Sequence, residues 1–374
     1  MIMLDEGCTR DEGAGFSGSY AASDVTFLLT RISLETTPVA RKEALIQSGA
    51  AHYSEMISEE QRPDARYLAL FRDARQKGDA RIAHDVLRIA AEIERRVKSG
   101  ALPPEITLCS LVRAGAPYGV LLNRELAARS VDVVHFGVSV IRDRGLDENA
   151  MAYVMSRRPV GGVLFVDGWT GKGAISGELS RSWTRISGRE PQLVVLADPA
   201  GFASLSGSHE DWLIPSGILG ANVSGLISRS VLNRDLLLPG QFHGYVPVDH
   251  LSDLDVSRAF VDDVFRVCEK TRHDVVSATP DPDYLAHLRD GCHACIKGIS
   301  ETFSVDNLNR VKPGIAEATR AVLRRKPERV LVRSDAEDPD LAPLLHLCER
   351  DGVEVEQAPD LTGPYRAVTL IGKV

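Results

Sequence analysis

The chain has 374 residues, too many for one typical domain, so roughly two are expected. Its 44% hydrophobic and 26% charged residues are those of an ordinary globular protein, and no apolar run approaches the roughly 20 residues of a membrane span. A formal net charge of −8 argues against non-specific binding of nucleic acid over the whole surface.

Residues 1–19 are rich in Gly, Ser and acids and are expected to be mobile. Asp5, Glu6, Asp11 and Glu12 offer neither the basic start nor the apolar run of a signal peptide, so a cytoplasmic location is expected. The six cysteines are most simply reduced there. Ser23-Asp24 is expected to cap a short helix through Val25, Leu28 and Leu29. His52-Tyr53-Ser54-Glu55-Met56 is a polar and aromatic mix that either approaches an active site or caps the fold. Over residues 80–98, Ile82, Val86, Ile89, Ile93 and Val97 recur at helical spacing, which predicts a scaffold helix ended by Gly100 and Pro103-Pro104.

Residues 106–112 predict a buried strand ending at Arg113-Ala114-Gly115. Arg with small residues at that edge is a candidate oxyanion loop, because ligands of open α/β sheets sit at the carboxyl ends of strands. Another strand is predicted over 131–138, followed by the charged run around Arg142-Asp143-Arg144, by default a solvated loop.

The densest signal lies at 161–174. Val163-Leu164-Phe165-Val166 predicts a strand buried on both faces. Asp167 closes it, Gly168, Gly171 and Gly173 punctuate a turn, and a helix opens at Ala174. Such a unit folds backbone N–H groups around an anion at the helix N-terminus. The Asp167 carboxylate has the wrong charge for a phosphate but suits a sugar hydroxyl pair or a hydrated magnesium ion. A Walker A loop fails twice, at Val166 and at Gly173 after Lys172, and the glycine order fails the dinucleotide fingerprint. An ordinary βα turn stays open. The stretch resembles more closely the ribose-phosphate loop of type I phosphoribosyltransferases.

Residues 193–197 predict a further buried strand. Residues 211–229 mix small polar with apolar side chains, which suits either ligand contact or tight packing, and 255–270 predict a helix. Cys292-His293-Ala294-Cys295 is a weak zinc signal, even with His287 or Cys268 added, and no protease signature surrounds any cysteine. From about 311 the sequence predicts an α/β module of roughly 65 residues, with a linker over 296–312. In it, Arg320, Arg324, Arg325, Lys326 and Arg329 gather at a helix end, where they complement the helix dipole or contact phosphate.

These loops, with Gly18-Ser19-Tyr20, Asp24-Val25-Thr26-Phe27-Leu28-Leu29, Ile214-Pro215-Ser216-Gly217 and Val223-Ser224-Gly225-Leu226-Ile227-Ser228-Arg229, resemble one bacterial family over nearly the whole chain. It is the phosphoribosyltransferase-like proteins of tellurite-resistance and stress-response gene clusters, also labelled cysteine protease StiP-like. The resemblance implies an α/β fold. Residues 1–295 would form a type I phosphoribosyltransferase-like parallel sheet with helices on both faces, and 313–374 a small Pelota (L7Ae-like) RNA-binding domain. It implies a phosphoribosyltransferase that uses phosphoribosyl diphosphate and magnesium in synthesis or salvage of a nucleoside-like metabolite, beside ATP-grasp enzymes.

Carried over by position, Asp167 would fix the ribose hydroxyls and hold magnesium, directly or through water. Gly168, Thr170, Gly171, Lys172, Gly173 and Ala174 would bind the 5-phosphate. Arg113, Ala114 and Gly115 would receive pyrophosphate, met by Arg142 and Arg144 from a mobile loop. Ser216 and Gly217 would touch substrate, and Arg324, Arg325, Lys326 and Arg329 would touch RNA. Gly168 departs from the second acid that many such loops carry, and Lys172 stands where a hydroxyl usually holds the phosphate. Two alternatives stand beside the transferase. One is a non-catalytic, ligand-sensing, RNA-associated regulator; the other is a cysteine peptidase using Cys292 or Cys295.

Overall fold

A computed structural model describes residues 15–274, 281–334 and 337–373. The expected mobile start therefore lies largely outside the described residues. Six strands, β1 (Thr26–Phe27), β2 (Glu105–Leu111), β3 (Asp132–Val138), β4 (Val163–Trp169), β5 (Leu193–Ala197) and β6 (Leu205–Ser208), make one sheet in the order β1-β3-β2-β4-β5-β6. Every neighbouring pair is parallel. Runs such as Val163 to Val166 are apolar without alternation because helices cover both faces.

One face is covered by α2 (Ala65–Lys98), α3 (Ala116–Ala128) and α6 (Ser257–Thr271), whose apolar stripes join a single cluster with Ile106, Leu108, Val166 and Val194. The other carries α4 (Glu148–Met155) and α5 (Ala174–Ser187), where Met151, Val154, Leu179 and Trp183 pack on Cys109 and Phe165. α1 (Val39–Gln47) precedes α2 in the chain. The helix expected over 80–98 is the second half of α2. Its start is set by Asp64, whose carboxylate accepts from the Tyr67 amide at 2.8 Å.

The short helix expected after Ser23-Asp24 does not form. Phe27 instead registers with Gly137 in the edge strand β1, and the Asp24 carboxylate is bound by Arg124 at 2.7 Å. A buried sheet position for Phe27 wins over a local cap.

The C-terminal part holds α7 (Pro282–Thr302), β7 (Val311–Pro313), α8 (Ile315–Arg324), β8 (Pro327–Val332), α9 (Ala342–Asp351), β9 (Glu354–Gln357) and β10 (Ala367–Ile371). Its sheet runs β7-β10-β8-β9, antiparallel except for β8 with β9. The stretch expected as a linker is ordered: 296–302 finish α7 and 311–313 are β7. Cys292, Cys295, Ile296 and Ile299 recur at helical spacing and pack with Val311, Tyr365 and Val368, which holds α7 against this sheet.

The two sheets share apolar material, since Trp212, Ile214 and Ile218 lie in the same cluster as Ile315, Ala318 and Val322. Polar contacts cross as well. The buried Asp211 carboxylate accepts from the amides of Ile315, at the start of α8, at 3.0 Å and of Arg366 at 2.7 Å. No helix among the described residues is long and apolar enough to cross a membrane.

Candidate functional site

A cavity of about 900 Å³ opens at the carboxyl end of β4, between the parallel sheet and the C-terminal part. Ten cationic side chains and four carboxyl groups line it. Five of the cations are compensated. Arg142 and Arg144 approach Asp143 and Glu55 at 3.5 and 3.7 Å, and Arg310 and Lys312 approach Glu328 and Glu317 at 2.8 and 3.5 Å. Arg325 binds Glu43.

The other five, Lys42, Lys172, Arg229, Arg320 and Arg324, have no carboxylate partner among the described residues. Arg320 lies over the Trp169 ring at 4.7 Å, and Arg229 gives one guanidinium nitrogen, Nη2, to the Tyr53 and Met56 carbonyls. Burial presses the Lys42 ammonium down to about 8 and the Lys172 ammonium down to about 7, helped by Arg229 and Lys312 respectively. Burial and the neighbouring Arg324 push Arg320 down too.

The Gly-rich turn lines this cavity, and its Lys172 and Thr170 side chains and its Gly171 carbonyl are already engaged. Lys172 donates to the Leu308 carbonyl and to the Val311 carbonyl at 2.8 Å. The Thr170 hydroxyl donates to Asp198, and Tyr365 donates to the Gly171 carbonyl at 3.0 Å. Gly173 is at φ 78° and lies against the Phe202 ring, which leaves no room for a side chain. Through Lys172 and the Gly171 carbonyl the turn also docks the C-terminal part.

Asp167 faces the same cavity. Its carboxylate accepts from the Gly168 amide at 2.8 Å, and burial pushes its pKa up to about 7. The residues fit magnesium poorly. Among the described residues no three His, Cys, Asp or Glu side chains converge, and the Asp167 carboxyl sits in a cationic field that repels a dication.

The remaining expected residues divide. Ala114, Ala174, Arg142, Arg144, Arg324 and Arg325 line the cavity. Arg113 does not; it is buried, pairs with Glu60 and donates to the Ile227 carbonyl at 2.8 Å, beside a smaller cleft. Gly115 is needed for packing, because a Cβ there would overlap the Val166 carbonyl. Gly168 packs on Tyr118, Ser216 shares a hydrogen bond with the Tyr118 hydroxyl, and Gly217 lies against Ala316. Arg329 is held by Glu354 and Glu356 over Phe303, and Lys326 is exposed, both outside the cavity.

His52 meets both readings of its segment. It caps a 3-10 turn and lines the cavity, with a buried Nε2 that has no partner among the described residues. Lys42, Arg229 and Lys312 went unnoticed as site residues. Nothing local marks them, since only the folded topology brings α1, the 221–231 loop and β7 together.

Cys109, Cys268, Cys292, Cys295 and Cys348 are all buried, and burial raises every one of these thiols, Cys295 to about 12. Cys8 lies outside the described residues. His293, next to Cys292 in sequence, packs against Phe202 at 6.1 Å.

Residues 18–265 match the family described as "Tellurite-like stress resistance cysteine protease StiP", and residues 291–373 match the PELOTA RNA binding domain. The chain belongs to the StiP family. A relative from Acinetobacter baylyi (strain ATCC 33305 / BD413 / ADP1), "Cysteine protease StiP", is 43% identical over 371 residues, covering 96% of this chain and 95% of the relative. Solved structures of Trypanosoma cruzi hypoxanthine phosphoribosyltransferase match over 35% of this chain and 78% of theirs, at 17% identity and a TM-score of 0.27. A complex of that enzyme with IMP matches at 18% identity, 35% of this chain, 76% of that one, and a TM-score of 0.27. Likeness that slight carries no argument.

The expected transferase is therefore corrected. The family and the 43% identical relative are both described as a cysteine protease, and neither supports an enzyme acting on phosphoribosyl diphosphate. The loop geometry gives a physical reason, since Lys172 and Thr170 are committed to internal partners.

Proposed function

We propose that this StiP-family protein is an RNA-associated, ligand-binding component of stress resistance, whose central cavity takes phosphate-bearing ligands. One observation carries the reading. Five cations from both parts of the chain line one cavity without carboxylate partners among the described residues, and positive charge partly sheltered from water with no counter-charge is stabilised by binding an anion. On this reading the parallel sheet keeps a phosphoribosyltransferase-like scaffold without its reaction, and the C-terminal sheet is a Pelota, L7Ae-like module. We place the division between them ahead of α7, because α7 packs with the C-terminal sheet.

The test is binding of labelled single-stranded RNA at several salt concentrations. Each phosphate contact contributes about −0.7 to the slope of log affinity against log salt. The double variant Lys42→Met, Arg324→Gln should flatten that slope by about one to two units. Binding that is absent, or unchanged by the double variant, would overturn the reading.

A second reading, thiol-dependent peptide hydrolysis, is favoured by the name of the relative. A cysteine nucleophile needs a thiolate and a base within hydrogen-bond reach. Among the described residues no cysteine has an imidazole so placed, and all five thiols are raised. Peptide cleavage that is abolished by iodoacetamide, and by one of Cys8→Ser, Cys292→Ser or Cys295→Ser, would establish it.

A further inference from the structure

Lys42, Arg229 and Arg324 stand where the large cavity meets the smaller cleft beside it, since all three line both. They come from α1, from the loop after the 3-10 turn Ala221–Val223, and from the last turn of α8. Two carboxylates close by are already engaged, since Glu43 binds Arg325 and Glu60 binds Arg113, and a third, Glu59 in the cleft lining, is exposed. Lys42 is only 7% exposed. Arg324 has no hydrogen bond or ion pair among the described residues. Positive charge is left over, therefore, at one spot, where Arg229 and Arg324 add to the burial that presses Lys42 down, and Arg324 does the same to Arg229.

The charge and the shape of the space limit what fits. An internal phosphodiester brings one negative charge, whereas a terminal phosphomonoester carries about −1.5 to −2 at pH 7 and three strong acceptor oxygens. Three converging cations suit the second. The cavity, at about 900 Å³, has the size of pockets that enclose a small molecule. A double helix is recognised across its outer grooves, while a single strand can offer an unstacked end.

We propose that Lys42, Arg229 and Arg324 clasp the terminal phosphomonoester of a single-stranded RNA end, with the adjoining nucleotides in the cavity. This rests on the RNA-associated reading above and adds which part of the RNA is held. The triad acts as a subsite for the end, and Arg320 lines the same cavity to meet a phosphodiester behind it.

The experiment uses the full chain and short RNA strands of one sequence. One pair bears a 5′-phosphate or a 5′-hydroxyl, a second pair a 3′-phosphate or a 3′-hydroxyl, and a blunt duplex serves as a fifth probe. Binding is read by fluorescence anisotropy, with inorganic pyrophosphate as competitor. One phosphorylated end should bind at least about tenfold tighter than its hydroxyl counterpart. Arg324→Gln should erase that preference and Arg324→Lys should restore part of it. Lys42→Met serves as a second, independent test of the triad. Pyrophosphate should displace the phosphorylated strand.

Equal affinity for phosphate and hydroxyl ends, with a salt slope still reduced by the double variant, would overturn the end-binding inference and leave the RNA reading standing. Duplex bound as tightly as single strand would overturn it in the same way. Pyrophosphate raising the melting temperature while no RNA binds would sink both.

Discussion

The guanidinium of Arg325 donates to the carboxylate of Glu43, Nη2 to Oε2 at 2.7 Å, and that carboxylate is completely buried. The neighbouring Arg324 has no such partner. Two adjacent arginines that look alike in sequence thus have opposite duties. Removing Arg325 strands a buried charge on α1, which costs about 3 kcal/mol or more. Arg325→Ala should lower the urea midpoint by a corresponding amount, and Arg324→Ala should stay within about 0.5 kcal/mol of the parent. Equal effects of the two changes would show that the pair does not hold α1 to α8.

Affinity for anions should fall as pH rises from about 6.5 to 8.5. Lys172 loses its proton near 7 and Lys42 near 8, while Asp167 acquires a negative charge near 7. Burial is the main cause in all three, and Lys312, Arg142, Glu317 and Arg320 are the charged groups that face Lys172 and Asp167. Every one of these steps makes the cavity less positive. A phosphomonoester is largely dianionic above about pH 6, so the ligand itself changes little over this range. A titration of RNA binding should show a loss of about tenfold for each charged contact removed. Rising affinity over the same interval would contradict the assignment of the cavity.

Gly115→Ala should be severely destabilising. Its Cβ would meet the Val166 carbonyl of β4, backbone against side chain with nowhere to move, and overpacking of this kind costs about 1–3 kcal/mol or more. Gly171→Ala is the control. There a Cβ would sit 3.5 Å from the Pro313 carbonyl oxygen, an ordinary contact, and the change in melting temperature should be small.

In the native protein the five cysteines among the described residues should resist thiol reagents. Cys109, Cys268, Cys292, Cys295 and Cys348 are buried and raised, so iodoacetamide near neutral pH should label them only after unfolding. Fast labelling of Cys292 in the folded protein would favour the peptidase reading.

The parallel sheet was legible because β4 and β5 carry the continuous apolar runs Val163 to Val166 and Leu193 to Ala197, the pattern of strands covered on both faces. β1 was not, because its two residues carry no period of their own and depend on Gly137 of β3. The turn at Gly171 to Gly173, expected to bind phosphate, lines the cavity. Its partners were unreadable, because the carbonyls of Leu308 and Val311 are remote in sequence and nothing near Lys172 predicts them. Arg113 misled for a similar reason. A strand-end arginine looks free until Glu60, 53 positions earlier, is seen to bind it. Lys42 gave no signal at all.

Contacts between the two sheets govern what can be transplanted. Lys172, Asp211 and Glu43 belong to the N-terminal part, yet the groups they satisfy belong to the C-terminal part: the Leu308 and Val311 carbonyls, the Ile315 amide and the Arg325 guanidinium. Cutting the chain ahead of α7 would break all three sets of contacts at once and expose the Lys172 ammonium and the Asp211 and Glu43 carboxylates to water. A chimera that borrows this C-terminal piece therefore works only if its new host supplies a lysine, an aspartate and a glutamate at the same three places.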